Sequence, residues 1–264
     1  MSLRICIAGV TGWVGKPLSI AVAFADDMQL VAAVSRSYAG RKLSEVGEAV
    51  VDLTIRGSVD EALKTPVDVL VDFTRADAVR ANVLTAINKG VHVVIGTSGL
   101  TDEDFAEIHR AAVANKVGVI AAGNFAMTAV LLQRFASEAA KYLSHWEIID
   151  YASDSKIDAP SGTARELASR LGEVSQPEIT VPLAATVGRK EARGASLNGS
   201  QVHSVRLPGF VIGVEAIFGA PDERLTIRHD AGSGAGPYIQ GTLLAIRKVR
   251  EHVGLVRGLD KIME

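Results

Sequence analysis

Arg4-Ile5-Cys6-Ile7-Ala8-Gly9-Val10-Thr11-Gly12-Trp13-Val14-Gly15 decides the fold. Residues 4–8 form a nearly continuous apolar run that stops at glycine, the pattern of a strand buried on both faces of a parallel sheet. Glycines at three-residue spacing close that strand and open a stretch of helical periodicity, residues 16–24. Such glycines let the backbone turn tightly and approach a pyrophosphate at the positive end of the helix. The spacing is GxxGxxG rather than GxGxxG, so the loop reads as an ordinary strand-to-helix turn or as a dinucleotide cradle. Its place at the head of an α/β alternation favours the cradle, with Gly9, Thr11, Gly12, Trp13, Val14 and Gly15 as candidate cofactor residues.

Outward from this loop the same rhythm repeats. Apolar runs at 30–34, 67–73, 91–95 and 117–122 alternate with helical spacing at 77–89 and 104–116. Thr101 and Asp104 form a capping-box pattern with Asp in place of Glu. Alternation over some 120 residues predicts an α/β, Rossmann-like doubly wound parallel sheet. After Asn124 the order changes: a long helix at 126–143, a strand at 146–151, a Pro-Ser-Gly turn and a helix at 163–171. Residues 172–201 read as a polar loop or arm, followed by strand-like runs at 202–207, 211–218 and 225–229. Grouped strands predict an α+β domain with an open mixed or antiparallel sheet. The helix at 238–253 has the length to return the chain to the first domain. The expected division is 1–123 with 241–264 for the dinucleotide domain and 124–240 for the second domain.

Composition excludes several classes. The 264 residues are 48% hydrophobic and 22% charged, with 28 Lys plus Arg against 30 Asp plus Glu and a net charge of −2. Disordered and collagen-like chains are excluded, and no basic field points to nucleic acid or an anionic membrane. The lone Cys6 permits no internal disulfide and no cysteine metal cluster, and no His/Cys/Asp/Glu spacing suggests a metal. No apolar stretch reaches membrane-helix length, and the strand pattern starting at Leu3 leaves no signal peptide, so the expected location is the cytoplasm.

The second strand ends in Ser35-Arg36-Ser37, with Arg41 and Lys42 close behind and no acidic residue to take a ribose 2′-hydroxyl. A guanidinium and two hydroxyls suit a 2′-phosphate; the alternative is a solvated basic loop. The expectation is NADPH ahead of NADH. Further on, Lys156-Ile-Asp158-Ala-Pro160-Ser161-Gly162-Thr163-Ala164 presents hydroxyls and backbone N–H groups at a helix start. That is an anion site suited to a carboxylate, with Lys156 adding a point charge; alternatively Ser161 is only an N-cap.

This signature resembles that of the dihydrodipicolinate reductases of lysine biosynthesis. The resemblance spans the chain through the Gly9–Gly15 loop, Asp72-Phe73-Thr74, Gly96-Thr97-Ser98-Gly99, Gly123-Asn124-Phe125, the Lys156–Ala164 signature and His203-Ser204-Val205-Arg206. It implies a Rossmann domain binding NAD(P)H, a middle domain binding an anionic small-molecule substrate, and a homotetramer built through the open sheet. It implies cofactor contacts at Phe73, Thr74, Gly96, Thr97, Asn124 and Phe125. Substrate carboxylate contacts fall on Lys156, Ser161, Gly162 and Thr163.

The chain departs from the pattern where the family reads Glu-x-His-His-x-x-Lys and this sequence reads Asp150-Tyr151-Ala152-Ser153-Asp154-Ser155-Lys156. The resemblance assigns proton donation to one of those histidines and substrate holding to the other, and both are absent. Gly213-Val214-Glu215-Ala216 also lacks the family's histidine, and Ser233-Gly234 lacks an arginine. Reducing an imine needs a proton at nitrogen, which alanine cannot supply and serine supplies poorly. Tyr151, Asp154 and Lys156 are the replacement candidates, Tyr151 and Lys156 foremost as catalytic residues, while His145 and His229 read as structural. Three functions follow in order. The first is an NADPH-dependent reductase of an altered cyclic imine or conjugated acceptor. The second is a working 4-hydroxy-tetrahydrodipicolinate reductase with a substitute donor, and the third a non-catalytic NADP(H)-binding protein.

Overall fold

Strand β1 (Leu3–Ala8) pairs in parallel with β2 (Met28–Val34) on one side and β3 (Val69–Asp72) on the other. Strands β4 (His92–Ile95) and β5 (Gly118–Ala121) continue the sheet, and β11 (Gly254–Arg257) adds a sixth parallel strand at its edge. The order β11-β5-β4-β3-β1-β2 is that of a Rossmann-like, doubly wound sheet. The computed structural model describes residues 2–47 and 50–263. They divide into two units, Met1–Met127 with Ala235–Glu264 and Thr128–Gly234.

In the first unit the strands are buried on both faces, which is why they read as apolar runs rather than alternating ones. Cys6, Ala8, Leu70, Val93 and Val119 face a core built with Val59 of α2 (Val59–Ala62), Val79, Val83 and Ile87 of α3 (Ala76–Asn88) and Ile108 of α4 (Asp102–Ala114). Helices α1 (Gly15–Ala23) and α7 (Gly236–Lys248) lie beside each other and supply buried Leu18, Val22, Leu243 and Ile246. The capping box at Thr101 is formed in both directions, with Asp104 N–H donating to the Thr101 hydroxyl and Thr101 N–H donating to the Asp104 carboxylate. Cys6 is fully buried, and desolvation followed by the nearby Asp72 charge pushes its thiol up to about 12, so it is chemically inert.

The first unit runs past the expected boundary at 123 to Met127 and resumes at Ala235 rather than 241. Phe125 is buried edge-on against Phe73, and Tyr238 stacks edge-on with Trp13, so both boundary segments pack within this unit. Strand β11 escapes sequence pattern because it has four residues and follows a 3₁₀ turn (Val249–Glu251).

The second unit is a five-stranded sheet of order β10-β9-β6-β8-β7. Strand β6 (His145–Ala152) pairs parallel with β8 (Ser200–Arg206) and antiparallel with β9 (Ile212–Ala220), which pairs antiparallel with β10 (Glu223–Ala231). The sheet is therefore mixed. Trp146, Ile148, Val202, Val214 and Phe218 face a core closed by α5 (Met127–Ala139) and α6 (Gly162–Val174). Helix α5 ends at Ala139 rather than 143, where the tighter i→i−3 bonds of Lys141 and Tyr142 lead the chain toward β6. The arm at 172–201 is not wholly irregular, since Ala195–Leu197 forms edge strand β7 against β8. Among the described residues no helix is long and apolar enough to cross a membrane, and no three His, Cys, Asp or Glu side chains converge as metal ligands would.

Candidate active site

The glycine loop carries its function in its backbone. Gly12 N–H donates to Gly9 O at 2.9 Å and Lys16 N–H to Gly12 O at 3.1 Å, winding the loop directly into α1. A Cβ on Gly15 would collide with the Gly9 carbonyl, so only glycine admits this closeness. The residue before the helix, Val14, offers no side-chain cap. Of the first helical positions, Lys16 N–H is already taken by Gly12 O and Pro17 has none, so the Gly15 N–H is the one left for an anion.

A cavity of about 490 Å³ opens in front of this loop, with Gly9, Thr11, Ser35, Arg36, Phe73 and Thr74 in its wall. The Thr11 and Ser35 hydroxyls are 2.9 Å apart, tying the glycine loop to the end of β2. Arg36 is exposed and reaches Asp77 at 3.4 Å across the cavity mouth. Ser37 lines the same wall. Gly96 and Thr97 line a second hollow of about 340 Å³ with Phe73 and Thr74. A Cβ on Gly96 would run into the Phe73 ring.

Asp72 holds these loops in register. Its buried carboxylate accepts from the Thr74 N–H at 3.0 Å, the Thr74 hydroxyl at 2.7 Å, the Thr97 hydroxyl at 2.7 Å and Asn82 Nδ2 at 2.9 Å. Sequence reasoning quoted Asp72 in a motif without a role. The available signal was an acid ending a strand that is otherwise entirely apolar.

Not every expected cofactor residue faces the cavity. Trp13 is 58% exposed and stands against Tyr238 with ring centroids 5.4 Å apart, and Val14 is packed inward. Phe125 is buried, so its part is to brace the Phe73 ring, centroids 5.8 Å apart. The Asn124 side chain accepts from Ala126 N–H at 2.8 Å and shapes its own turn. A glycine cradle that a Cβ would fill, a Gly15 N–H without an acceptor at the helix start and an adjoining cavity fit a dinucleotide.

In the second unit the Lys156–Ala164 segment forms the turn that opens α6. Ser161 is the N-cap, its hydroxyl accepting from Ala164 N–H at 3.3 Å. Its own N–H donates to Asp150 Oδ2 at 2.8 Å. The donors left at this helix start are the Gly162 and Thr163 N–H groups and the Thr163 hydroxyl. Lys156 Nζ pairs with Asp158 Oδ1 at 2.7 Å, and that hydrogen bond holds the Asp158 carboxyl below its ordinary value. A carboxylate arriving at the turn therefore competes with Asp158 for Lys156.

Asp150 and Arg206 lie behind the turn. The Asp150 carboxylate is fully buried and accepts through Oδ2 from Arg206 Nη2 at 2.7 Å and the Ser204 hydroxyl at 3.1 Å, besides Ser161. Burial pushes this carboxyl up, but the hydrogen bonds from Ser161 and Arg206, with the Arg206 charge, outweigh it and hold it below its ordinary value. Arg206 also donates to Asp158 O at 2.7 Å, pinning the far end of the signature segment. Both stood in quoted motifs without a role. The signal was an acid on the core-facing parity of a strand whose neighbours there are Ile148 and Ala152.

Tyr151 does not join this cluster. Strand parity puts it on the face opposite Asp150, where its hydroxyl donates to Glu215 at 3.0 Å beneath the Arg228 guanidinium, 4.4 Å from the ring centre. Burial and then Glu215 raise its pKa, the wrong direction for a proton donor. Ala152 is buried, and the Ser153 hydroxyl is engaged with Ser155 at 2.8 Å and Asp154 at 3.2 Å. His229 is buried against the Thr128 hydroxyl at 2.9 Å, and His145 lies among Ser144, Thr180 and Glu178.

Comparison with known proteins agrees with this architecture. The family model described as dihydrodipicolinate reductase, N-terminus, matches residues 3–125, and that of the C-terminus matches residues 128–263. The 4-hydroxy-tetrahydrodipicolinate reductase of Desulfitobacterium hafniense (strain DSM 10664 / DCB-2) is 39% identical over 265 residues, covering 99% of both chains. That of Moorella thermoacetica is 38% identical, covering 100% of this chain and 98% of its own. A solved structure of dipicolinate-bound dihydrodipicolinate reductase from Paenisporosarcina sp. TG-14 superposes with a TM-score of 0.89 at 34% identity, over the full length of both. On two family models that together span nearly all of its length, the chain belongs to the dihydrodipicolinate reductase family.

Proposed function

We propose that the chain is an NADPH-dependent reductase of a carboxylated cyclic C=N acceptor whose nitrogen arrives already protonated. The observation that carries this is the chemistry around the signature turn. The donors that suit a carboxylate are present, while Ala152 and Ser153 stand where a proton donor is expected and Tyr151 points to the opposite sheet face. Reducing C=N adds a hydride to carbon and a proton to nitrogen. The nicotinamide supplies the hydride when bound. An iminium nitrogen needs no acid, and the amine forms without a donor side chain. Gly162, Thr163 and Lys156 then have one task, to hold and orient a carboxylate. In the first unit Ser35, Arg36 and Ser37 supply a guanidinium and hydroxyls for a 2′-phosphate, which supports NADPH over NADH.

A second reading is 4-hydroxy-tetrahydrodipicolinate reduction itself, favoured by 39% identity over nearly the full length of a relative of that name. The deciding assay follows NADPH absorbance with freshly generated 4-hydroxy-tetrahydrodipicolinate beside a histidine-bearing homologue. Turnover within about tenfold of the homologue establishes the second reading, since a lost general acid costs about 10²–10⁴-fold. Slow turnover with tight NADPH binding, together with faster oxidation by preformed cyclic iminium carboxylates, supports the first. Tight binding without oxidation by any acceptor would overturn both in favour of a non-catalytic NADP(H)-binding protein. The homotetramer expected from the family resemblance is tested separately by light scattering of the purified chain.

A further inference from the structure

The Asp150–Arg206 pair is unusual in placing a buried negative charge directly behind a turn that would receive an anion. A carboxylate there repels the ligand unless it is neutralised and does something in return. Arg206 neutralises it, donating to Asp150 Oδ2 at 2.7 Å and to the Asp150 carbonyl at 3.3 Å. What the carboxylate does is take the Ser161 N–H, 2.8 Å away. Of the backbone donors at the start of α6, this one is thereby consumed by the protein. Ser161, the residue before the Gly162 and Thr163 donors, is thereby fixed at its N–H by Asp150 and at its hydroxyl, which accepts from Ala164 N–H. All of the Asp150 carboxylate's contacts run through Oδ2, and the second oxygen, Oδ1, is buried without a partner.

We propose that Asp150 is a positioning residue for substrate: by anchoring the Ser161 N–H it aims the Gly162 and Thr163 N–H groups and the Thr163 hydroxyl at a single carboxylate. Arg206 is its counter-charge and, through Asp158 O at 2.7 Å, sets the reach of Lys156 toward the same ligand. The inference rests on the reading of this turn as the substrate's carboxylate site.

The test uses the full chain with dipicolinate, a planar dicarboxylate, as probe. Titration calorimetry measures dipicolinate and NADPH affinities, and thermal unfolding is recorded alongside. Two variants are compared, Asp150→Asn and the double replacement Asp150→Leu with Arg206→Met. The second removes both charges while keeping an apolar fill, a change that buried ion pairs often tolerate. The expected result is a loss of dipicolinate affinity of at least tenfold in both, with NADPH affinity unchanged. In the Asn variant the Ser161 amide should also exchange with solvent faster. Dipicolinate affinity kept within twofold in a folded variant would overturn the positioning role, leaving the pair as structural only. Should the double variant fail to fold, the Asn variant decides alone. Absence of dipicolinate binding by the unmodified chain would overturn the carboxylate-site reading itself, and this role with it.

Discussion

The helix starts at Gly15 and at Gly162 both leave backbone N–H without an intrahelical acceptor, Gly15 at the first and Gly162 and Thr163 at the second, and are built by opposite means. At α1 the backbone does everything: glycines remove side chains, the Gly9 carbonyl nearly touches Gly15, and Val14 adds no cap. At α6 side chains do the work, with Ser161 capping one N–H and a buried Asp150 taking another. The first design leaves a broad cradle suited to a pyrophosphate. The second keeps few donors free, the number that the proposed carboxylate would take. A backbone site depends on what is absent, whereas a side-chain site depends on partners far away in sequence.

That contrast can be broken most severely at the first site. Gly15→Ala forces a Cβ into the Gly9 carbonyl; overpacking of this kind costs about 3 kcal/mol, and NADPH affinity should vanish in fluorescence titration even where circular dichroism shows a folded chain. Next in size is a gain. Ser153 is partly exposed while Ala152 is fully buried, so Ser153→His is the replacement the fold admits. It should raise turnover of 4-hydroxy-tetrahydrodipicolinate about 10²-fold in the NADPH assay, without changing the KM for NADPH. Lys156→Met removes the one ammonium of the signature turn and should weaken dipicolinate binding about tenfold, with nucleotide binding intact. Arg36→Ala should lower NADPH affinity by a similar factor and spare NADH. Asp77→Asn, releasing Arg36 from an exposed ion pair, should raise it about twofold.

The smallest effect compares the units by pH. Burial, and for His92 the Arg250 charge, lowers the pKa of His92 in the first unit; burial lowers that of His229 in the second. The unfolded chain protonates these rings near about pH 6.5 and the folded chain resists, so stability falls as pH drops below that value. His92→Gln should flatten this dependence for the first unit and His229→Gln for the second, read as the slope of Tm between about pH 7 and pH 5.

The first unit was legible because its signals are local. Runs such as Val69–Asp72, buried at every position, and the loop from Gly9 to Gly15 declare themselves within a dozen residues. The second unit was legible in its element types and less so in its site. The signature turn stood out, but its support comes from Arg206, 56 positions from Asp150. Tyr151 attracted attention by residue type and was misplaced because one step along a strand reverses the face. Residues 254–257 went unread as a strand because four residues gain their pairing only from β5.

Trp13 and Trp146 are the two tryptophans of the chain, and each unit holds one. Trp13 is exposed beside the nucleotide loop and against Tyr238, while Trp146 is buried, its indole N–H donating to the Ser200 hydroxyl at 2.9 Å. The protein thus carries a separate optical reporter in each half, one emitting from a wet surface and one from a dry interior. Trp146→Phe leaves a fluorophore that should respond to nucleotide, and Trp13→Phe leaves one that should stay silent until the second unit unfolds. Assembly, ligand arrival and loss of structure can then be followed half by half with no label attached.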